Sequence, residues 1–226
     1  YPFAKERYWF GKDAATSEAT ISSQWDQLSH ICKWEVQSSL KQKTVNNHQS
    51  ILIVCTGPCF HFETVVQEFY TQQGECNVVL LRIADRTEKL SEGEWSYDAR
   101  NPAAVQRCLQ EIDTVDAFYF IAIDEQHANI STLNELVGMQ EHNEIQLLRI
   151  VKGLKKNNKI AKNVDTYIIT LDNYALDLAV NSSFGAGAAG LGYSLAQGNY
   201  QFLVRNIDLS SSELKDLQKQ RTLFEA

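Results

Sequence analysis

Five short apolar runs, each followed or preceded by a segment of helical spacing, constrain this chain more than any other feature of its sequence. The runs are Ile51-Leu52-Ile53-Val54, Val78-Val79-Leu80-Leu81, Val115 to Ile123, Tyr167 to Leu171, and Phe202-Leu203-Val204 leading to Ile207. Strand-length runs rich in β-branched and aromatic residues, without polar alternation, suit strands covered on both faces. Between them the spacing predicts helices over 62–70, 101–109, about 130–156 and 183–197, with a last one over 211–221. Pro102 behind Asn101 is a helix-start signal. Strands alternating with helices imply an α/β chain: a mostly parallel sheet with helices on both faces. Ahead of this body, residues 1–29 are polar and aperiodic after an aromatic opening and are expected to form an arm. Residues 30–226 are expected to form one domain, in which His30 to Val36 alternates like a half-buried strand and Gln37 to Ser50 is a polar connection.

Composition narrows the function classes. At 226 residues the chain suits one core, and 44% hydrophobic with 22% charged residues is ordinary for a globular protein. No apolar run reaches the roughly 18 residues that would cross a bilayer, and Tyr1 to Phe10 does not have the pattern of a signal peptide, so a soluble cytoplasmic protein without membrane contact is expected. The net charge of -7, without a basic stripe, argues against nucleic acid as a partner. Cysteines 32, 55, 59, 76 and 108 are odd in number and scattered, which suggests free thiols in a reducing compartment.

A dinucleotide in such a sheet needs a glycine-rich turn after the first strand. The turn here, Cys55-Thr56-Gly57-Pro58-Cys59-Phe60-His61-Phe62, has one glycine. Pro58 removes an amide donor, and Phe60 and Phe62 add bulk where a pyrophosphate would approach. Gly185-Ala186-Gly187-Ala188-Ala189-Gly190 satisfies G-x-G-x-x-G and is followed by Asp208, but it belongs to the fourth strand-helix unit rather than the first. Close packing of a small-residue helix is the expected role of these glycines. Cys55, Cys59 and His61 form a possible ligand trio without a fourth partner in sequence, so thiols without metal are expected. Cys59 near a helix start could have a lowered thiol pKa. His30, His48, His127 and His142 sit in polar surroundings and are expected at the surface. The charge clusters Glu6-Arg7, Glu92/Glu94 and Lys155-Lys156 are expected on solvated faces.

Three sets of residues carry a resemblance. Tyr1-Pro2-Phe3-Ala4-Lys5-Glu6-Arg7-Tyr8-Trp9-Phe10 resembles the linker that follows ketosynthase domains in modular polyketide synthases. Glu144 to Leu154, Tyr167 to Thr170, Ala188-Ala189-Gly190-Leu191 with Ser194-Leu195-Ala196, and Asn206-Ile207-Asp208-Leu209 are together similar to the structural half of polyketide synthase ketoreductases. That resemblance implies a truncated Rossmann-like, short-chain-dehydrogenase-like fold and no chemistry of its own. It further implies a downstream catalytic half that binds NADPH, with that half and neighbouring synthase domains as partners.

The enzyme pattern of that family can be tested residue by residue. Matched to the family's Y-x-A-x-K-A segment, the tyrosine position is Phe184, without a hydroxyl, and the lysine position is Ala188, without an amine. Tyr193 has Gln197 at its lysine position. Neither catalytic residues nor bound cofactors or metals are therefore expected. The alternatives are a degenerate oxidoreductase or nucleotide-binding domain, and the structural half of an inactive ketoreductase interrupted by a methyltransferase. In the resembled family the N-terminal strand helps join the two halves, which makes Ile31, Trp34 and Val36 the expected interdomain contact.

Overall fold

The strand Ser50–Cys55 (β1) is buried along its whole length and takes the centre of the sheet. The computed structural model describes residues 48–59, 61–124, 132–174, 182–198 and 201–214. After β1 come helix α1 (Phe62–Gln73), strands β2 (Asn77–Ala84), β3 (Glu88–Ser91) and β4 (Glu94–Asp98), helix α2 (Pro102–Gln110) and strand β5 (Val115–Ile121). Helices α3 (Leu133–His142) and α4 (Glu144–Lys156), strand β6 (Ile160–Leu171), helix α5 (Ala186–Gly198), strand β7 (Phe202–Leu209) and the short helix α6 (Ser211–Leu214) complete the order.

The seven strands form one sheet in the order β3-β4-β2-β1-β5-β6-β7. All neighbours are parallel except β3 and β4. Alternate residues of the central strands feed two cores. Leu52, Val54, Phe118 and Phe120 pack with Val105 and Leu109 of α2, Leu147, Ile150 and Leu154 of α4, and Ala188 of α5. Ile51, Ile53, Tyr119 and Ile121 pack with Phe62, Val66 and Tyr70 of α1. The sheet thus has helices on both faces, as its apolar runs predict.

Several local expectations are corrected. The hairpin β3-β4 has no counterpart in the sequence reading because all four residues of β3 are exposed, leaving no apolar run or alternation to detect. Its turn holds Gly93 at φ +75, and a Cβ there would lie 2.9 Å from the Val78 carbonyl oxygen. The close approach lets the Leu80 amide donate to the Gly93 carbonyl at 2.8 Å. Glu94, expected on a solvated face, is half-buried and accepts from Arg82 Nε at 2.9 Å, whereas Glu92 is exposed. The helix expected over about 130–156 breaks at Asn143, whose backbone (φ -103, ψ -89) leaves the helical region while its side-chain amide donates to the Met139 carbonyl. Thr132 and Glu135 form a capping box that starts α3. Strand β6 begins at Ile160, before the apolar run that marks its second half.

His48 is a further correction. Its side chain is only 9% exposed, with Nε2 3.4 Å from Asp165 Oδ2 and Nδ1 3.8 Å from Asp116 Oδ1. The carboxylate of Asp116 also accepts from the amides of Gln49 and Ser50, pinning the entry to β1. The arm, the strand over 30–36 with Ile31, Trp34 and Val36, and the last helix beyond Leu214 lie outside the described residues. No helix among the described residues is long and apolar enough to cross a membrane.

Candidate functional site

The strand order runs outward in opposite directions from β1 and β5, so their carboxyl ends flank the switch point where an open α/β sheet holds a ligand. At this crevice the chain supplies Cys55-Thr56-Gly57 from β1 and Ala122-Ile123-Asp124 after β5. Backbone donors on either side of the turn are already committed. The Thr56 amide and hydroxyl both donate to the Ile121 carbonyl, at 3.1 and 3.2 Å. At the start of α1, the Phe62 amide donates to the Cys59 carbonyl and the Thr64 amide to the His61 carbonyl.

The space above Gly57 is taken as well. A Cβ built on Gly57 would lie 3.0 Å from the carboxylate of Asp124. A phosphate approaching this glycine would meet a like charge rather than a cradle of amides. Asp124 is the residue that sequence reasoning missed here: it follows the third apolar run, and only the β1-β5 pairing brings it beside Gly57.

Of the glycines of 185–190, Gly185 and Gly187 close on neighbouring elements, whereas Gly190 faces open space. Gly185 has φ +86, and a Cβ there would be 2.7 Å from the Ala122 carbonyl oxygen, so the residue closes the chain down onto the exit of β5. A Cβ on Gly187 would overlap the Glu144 carboxylate, and one on Gly192 would lie 2.4 Å from Ile168 Cδ1. Helix α5 is thereby pressed against α4 and the sheet, the packing role expected for these small residues. Burial raises the Glu144 carboxyl above its ordinary value. Asp208, the acidic residue downstream of the motif, accepts from Thr170 Oγ1 at 2.7 Å and from the amides of Asn173 and Tyr174 at 3.1 and 2.9 Å. It ties down the loop after β6.

Phe184 and Ala188 both lie inside the packed body, 4% and 0% exposed. Ala188 belongs to the core that includes Ile168 and Phe202. Tyr193, the other candidate for the tyrosine position, is 59% exposed, and Gln197 is exposed.

The ligand trio of Cys55, Cys59 and His61 is resolved differently from its reading in sequence. His61 is exposed and stands at the start of α1 in the left-handed region (φ 59), without a side-chain cap. Cys55, Cys59 and Glu63 converge instead, all buried, with Cys59 Sγ 3.8 Å from Cys55 Sγ and donating to Glu63 Oε2 at 2.7 Å. Glu63 Oε1 accepts from Arg82 Nη1 at 2.7 Å. The hydrogen bond to Cys55, burial and the charge of Glu63 all push the Cys59 thiol up, opposite to the activated thiol that a helix start suggests. Burial pulls the Glu63 carboxyl upward too, but the hydrogen bonds from Cys59 and Arg82 outweigh it and hold the group below its ordinary value. The spacing Cys55-x-x-x-Cys59-x-x-x-Glu63 is legible in the sequence and is the signal that could have found Glu63.

No family model and no curated protein matches the chain. Among solved structures it is similar to a keto acid-selecting NRPS module with adenylation, ketoreductase and pseudo Asub domains (TM-score 0.64, 9% identity, covering 82% of this chain and 16% of that one). It is also similar to an N-terminal ketoreductase from the macrolactin assembly line (TM-score 0.56, 12% identity, 82% of this chain and 37% of that one). A third similarity is to the aldohexose dehydrogenase of Thermoplasma acidophilum in ligand-free form (TM-score 0.54, 13% identity, 78% and 77%). The chain spans well under two thirds of the first two. At these identities the likeness is one of fold, and the fold is the Rossmann-like α/β arrangement of short-chain dehydrogenases and of synthase ketoreductases.

Proposed function

We propose that this chain is a non-catalytic structural subdomain that supports the NADPH-dependent catalytic half of a ketoreductase in a polyketide synthase module. The observation that carries the reading is the occupied switch point. The fold is one that elsewhere holds a dinucleotide, yet here the Asp124 carboxylate stands over Gly57, and the amides of Thr56, Phe62 and Thr64 donate to Ile121, Cys59 and His61. The buried Phe184 and Ala188 add support, since the matched acid-base positions carry neither a hydroxyl nor an amine. Its partners would be the downstream catalytic half and neighbouring synthase domains. The strand expected over residues 30–36 is the proposed interdomain contact, through its apolar residues Ile31, Trp34 and Val36, of which Trp34 and Val36 share one strand face.

Titration calorimetry with NADPH and NADH tests the reading. No heat of binding is expected up to millimolar cofactor. Micromolar binding would overturn it in favour of a degenerate oxidoreductase that retains its nucleotide. In a chain carrying both halves, Trp34→Ala should lower the melting temperature, and a thermally silent Trp34→Ala would remove the docking role from that strand.

A further inference from the structure

The cluster at the end of β1 has the donor chemistry of a site for a d10 divalent cation. Cys55 Sγ, Cys59 Sγ and a carboxylate oxygen of Glu63 lie within 4.8 Å of one another, and the three residues are buried. We propose that Cys55, Cys59 and Glu63 bind Zn2+ through two thiolates and one carboxylate oxygen, with water as the fourth ligand.

Geometry supports this first. With Zn–S bonds of about 2.3 Å at a tetrahedral centre, two coordinating sulfurs lie about 3.8 Å apart. The two sulfurs are 3.8 Å apart before any metal is added. Sulfur and carboxylate oxygen on the same centre would be about 3.5 Å apart. Glu63 Oε2, now 2.7 Å from Cys59 Sγ in a hydrogen bond, has to withdraw by under about 1 Å. Its other oxygen is held by Arg82 Nη1 at 2.7 Å, and Arg82 is in turn held by Glu94 at 2.9 Å. That outer shell presents Glu63 as a one-oxygen ligand and fixes its direction.

Charge supports it second. A buried site tolerates a metal when the exchange leaves no net charge. Without metal, two neutral thiols, the Glu63 carboxylate and the Arg82 guanidinium sum to zero. With metal, two thiolates, one carboxylate, one divalent cation and the same guanidinium again sum to zero. Binding is therefore an exchange in which Zn2+ enters, both S–H bonds break, two Zn–S bonds and one Zn–O bond form, and two protons leave to solvent. Pro58 and His61 on the same turn are exposed.

The test uses the whole chain, reduced with a phosphine that does not hold metal. Co2+ is titrated as the spectroscopic probe and then displaced by Zn2+. The expected result is one equivalent of Co2+ with thiolate-to-metal charge-transfer absorption, bleached by Zn2+. The Zn2+ affinity should rise about a hundredfold per pH unit between pH 6 and 8, the signature of two released protons. Cys59→Ser should remove the charge-transfer band and weaken Zn2+ binding more than about a hundredfold, and Glu63→Gln should weaken it about tenfold or more. Cys76→Ser, outside the cluster, should leave both unchanged. Absence of the band in the unaltered protein, or an affinity that ignores pH, would overturn the proposal. So would a Cys59→Ser protein that binds as tightly as its parent. The band and the pH slope are read on the unaltered protein, so the decision stands even if a variant fails to fold.

Discussion

Placing a lysine at Ala188 reinstates the amine of the matched acid pair, and the structure sets what that costs. Ala188 is 0% exposed in the core beneath α5. A lysine with an ordinary pKa near 10.4 that must be buried neutral gives up about 1.4 kcal/mol for every pH unit below that value, or about 4.6 kcal/mol at pH 7. Overpacking three methylenes and the amine adds about 1 to 3 kcal/mol, independent of pH. Together these reach about 6 to 8 kcal/mol, against a typical total stability of about 5 to 15 kcal/mol. The folded-state pKa of such a lysine is depressed, so the unfolded chain binds the extra proton and stability rises with pH until the unfolded value is passed. Ala188→Lys should therefore be strongly destabilised at pH 7 and regain about 1.4 kcal/mol per unit toward pH 9 or 10, relative to the parent. Ala188→Met, carrying only the packing cost, should show no such slope. Urea unfolding followed by circular dichroism across this range reads both. If Ala188→Lys melts within two or three degrees of the parent at pH 7, position 188 has access to water, and the argument that the acid pair cannot be housed there is wrong.

The glycines of α5 offer a matched pair of opposite sign. Gly192→Ala, which drives a Cβ to 2.4 Å from Ile168 Cδ1 and 2.8 Å from Asn206 Oδ1, should cost about 1 to 3 kcal/mol in thermal melts despite better helix propensity. Gly190→Ala, with nothing within 4 Å of the new Cβ, should gain up to about 1 kcal/mol by the same assay. Arg82→Met leaves the carboxylate of Glu63 buried without its cation. Because the Arg82 side chain is 34% exposed, a cost of about 2 kcal/mol in urea unfolding is expected rather than the full value of a buried pair. The Glu63 carboxyl is held below its ordinary value, so its share of stability is complete above about pH 4.5 and is lost as the pH falls further. An acid titration should therefore show the parent losing stability below that pH more steeply than Arg82→Met.

The parts of the fold legible in the sequence are those whose burial is uniform along the element. Ile51–Val54 and Val115–Ile121 read as strands because every residue but Asp116 is inside. Helix α2 reads from Pro102 and from the spacing of Ala104, Val105, Cys108 and Leu109. Strand β3 is exposed throughout, and the first half of β6 mixes buried with exposed residues, so neither gives a period to detect. The missing glycines of the first turn were visible, but what fills their place was not. Asp124 reaches Gly57 through strand pairing between residues more than sixty positions apart, and no local pattern encodes that. Likewise His48, set among polar neighbours in sequence, is drawn inside by two aspartates on β5 and β6.

The parallel insertion of β4 beside β2 has a consequence for the order of assembly. Because the β3-β4 hairpin returns the chain to that edge, β1, α1, β2, β3 and β4 complete their mutual pairings within Ser50–Asp98. As the chain leaves the ribosome, this half can close before Ile51 meets Ala117, the contact with the larger loop-closure cost. Until β5 arrives, the apolar edge of β1 is the surface at risk of mispairing, and a pause in synthesis between Asp98 and Val115 would prolong that exposure.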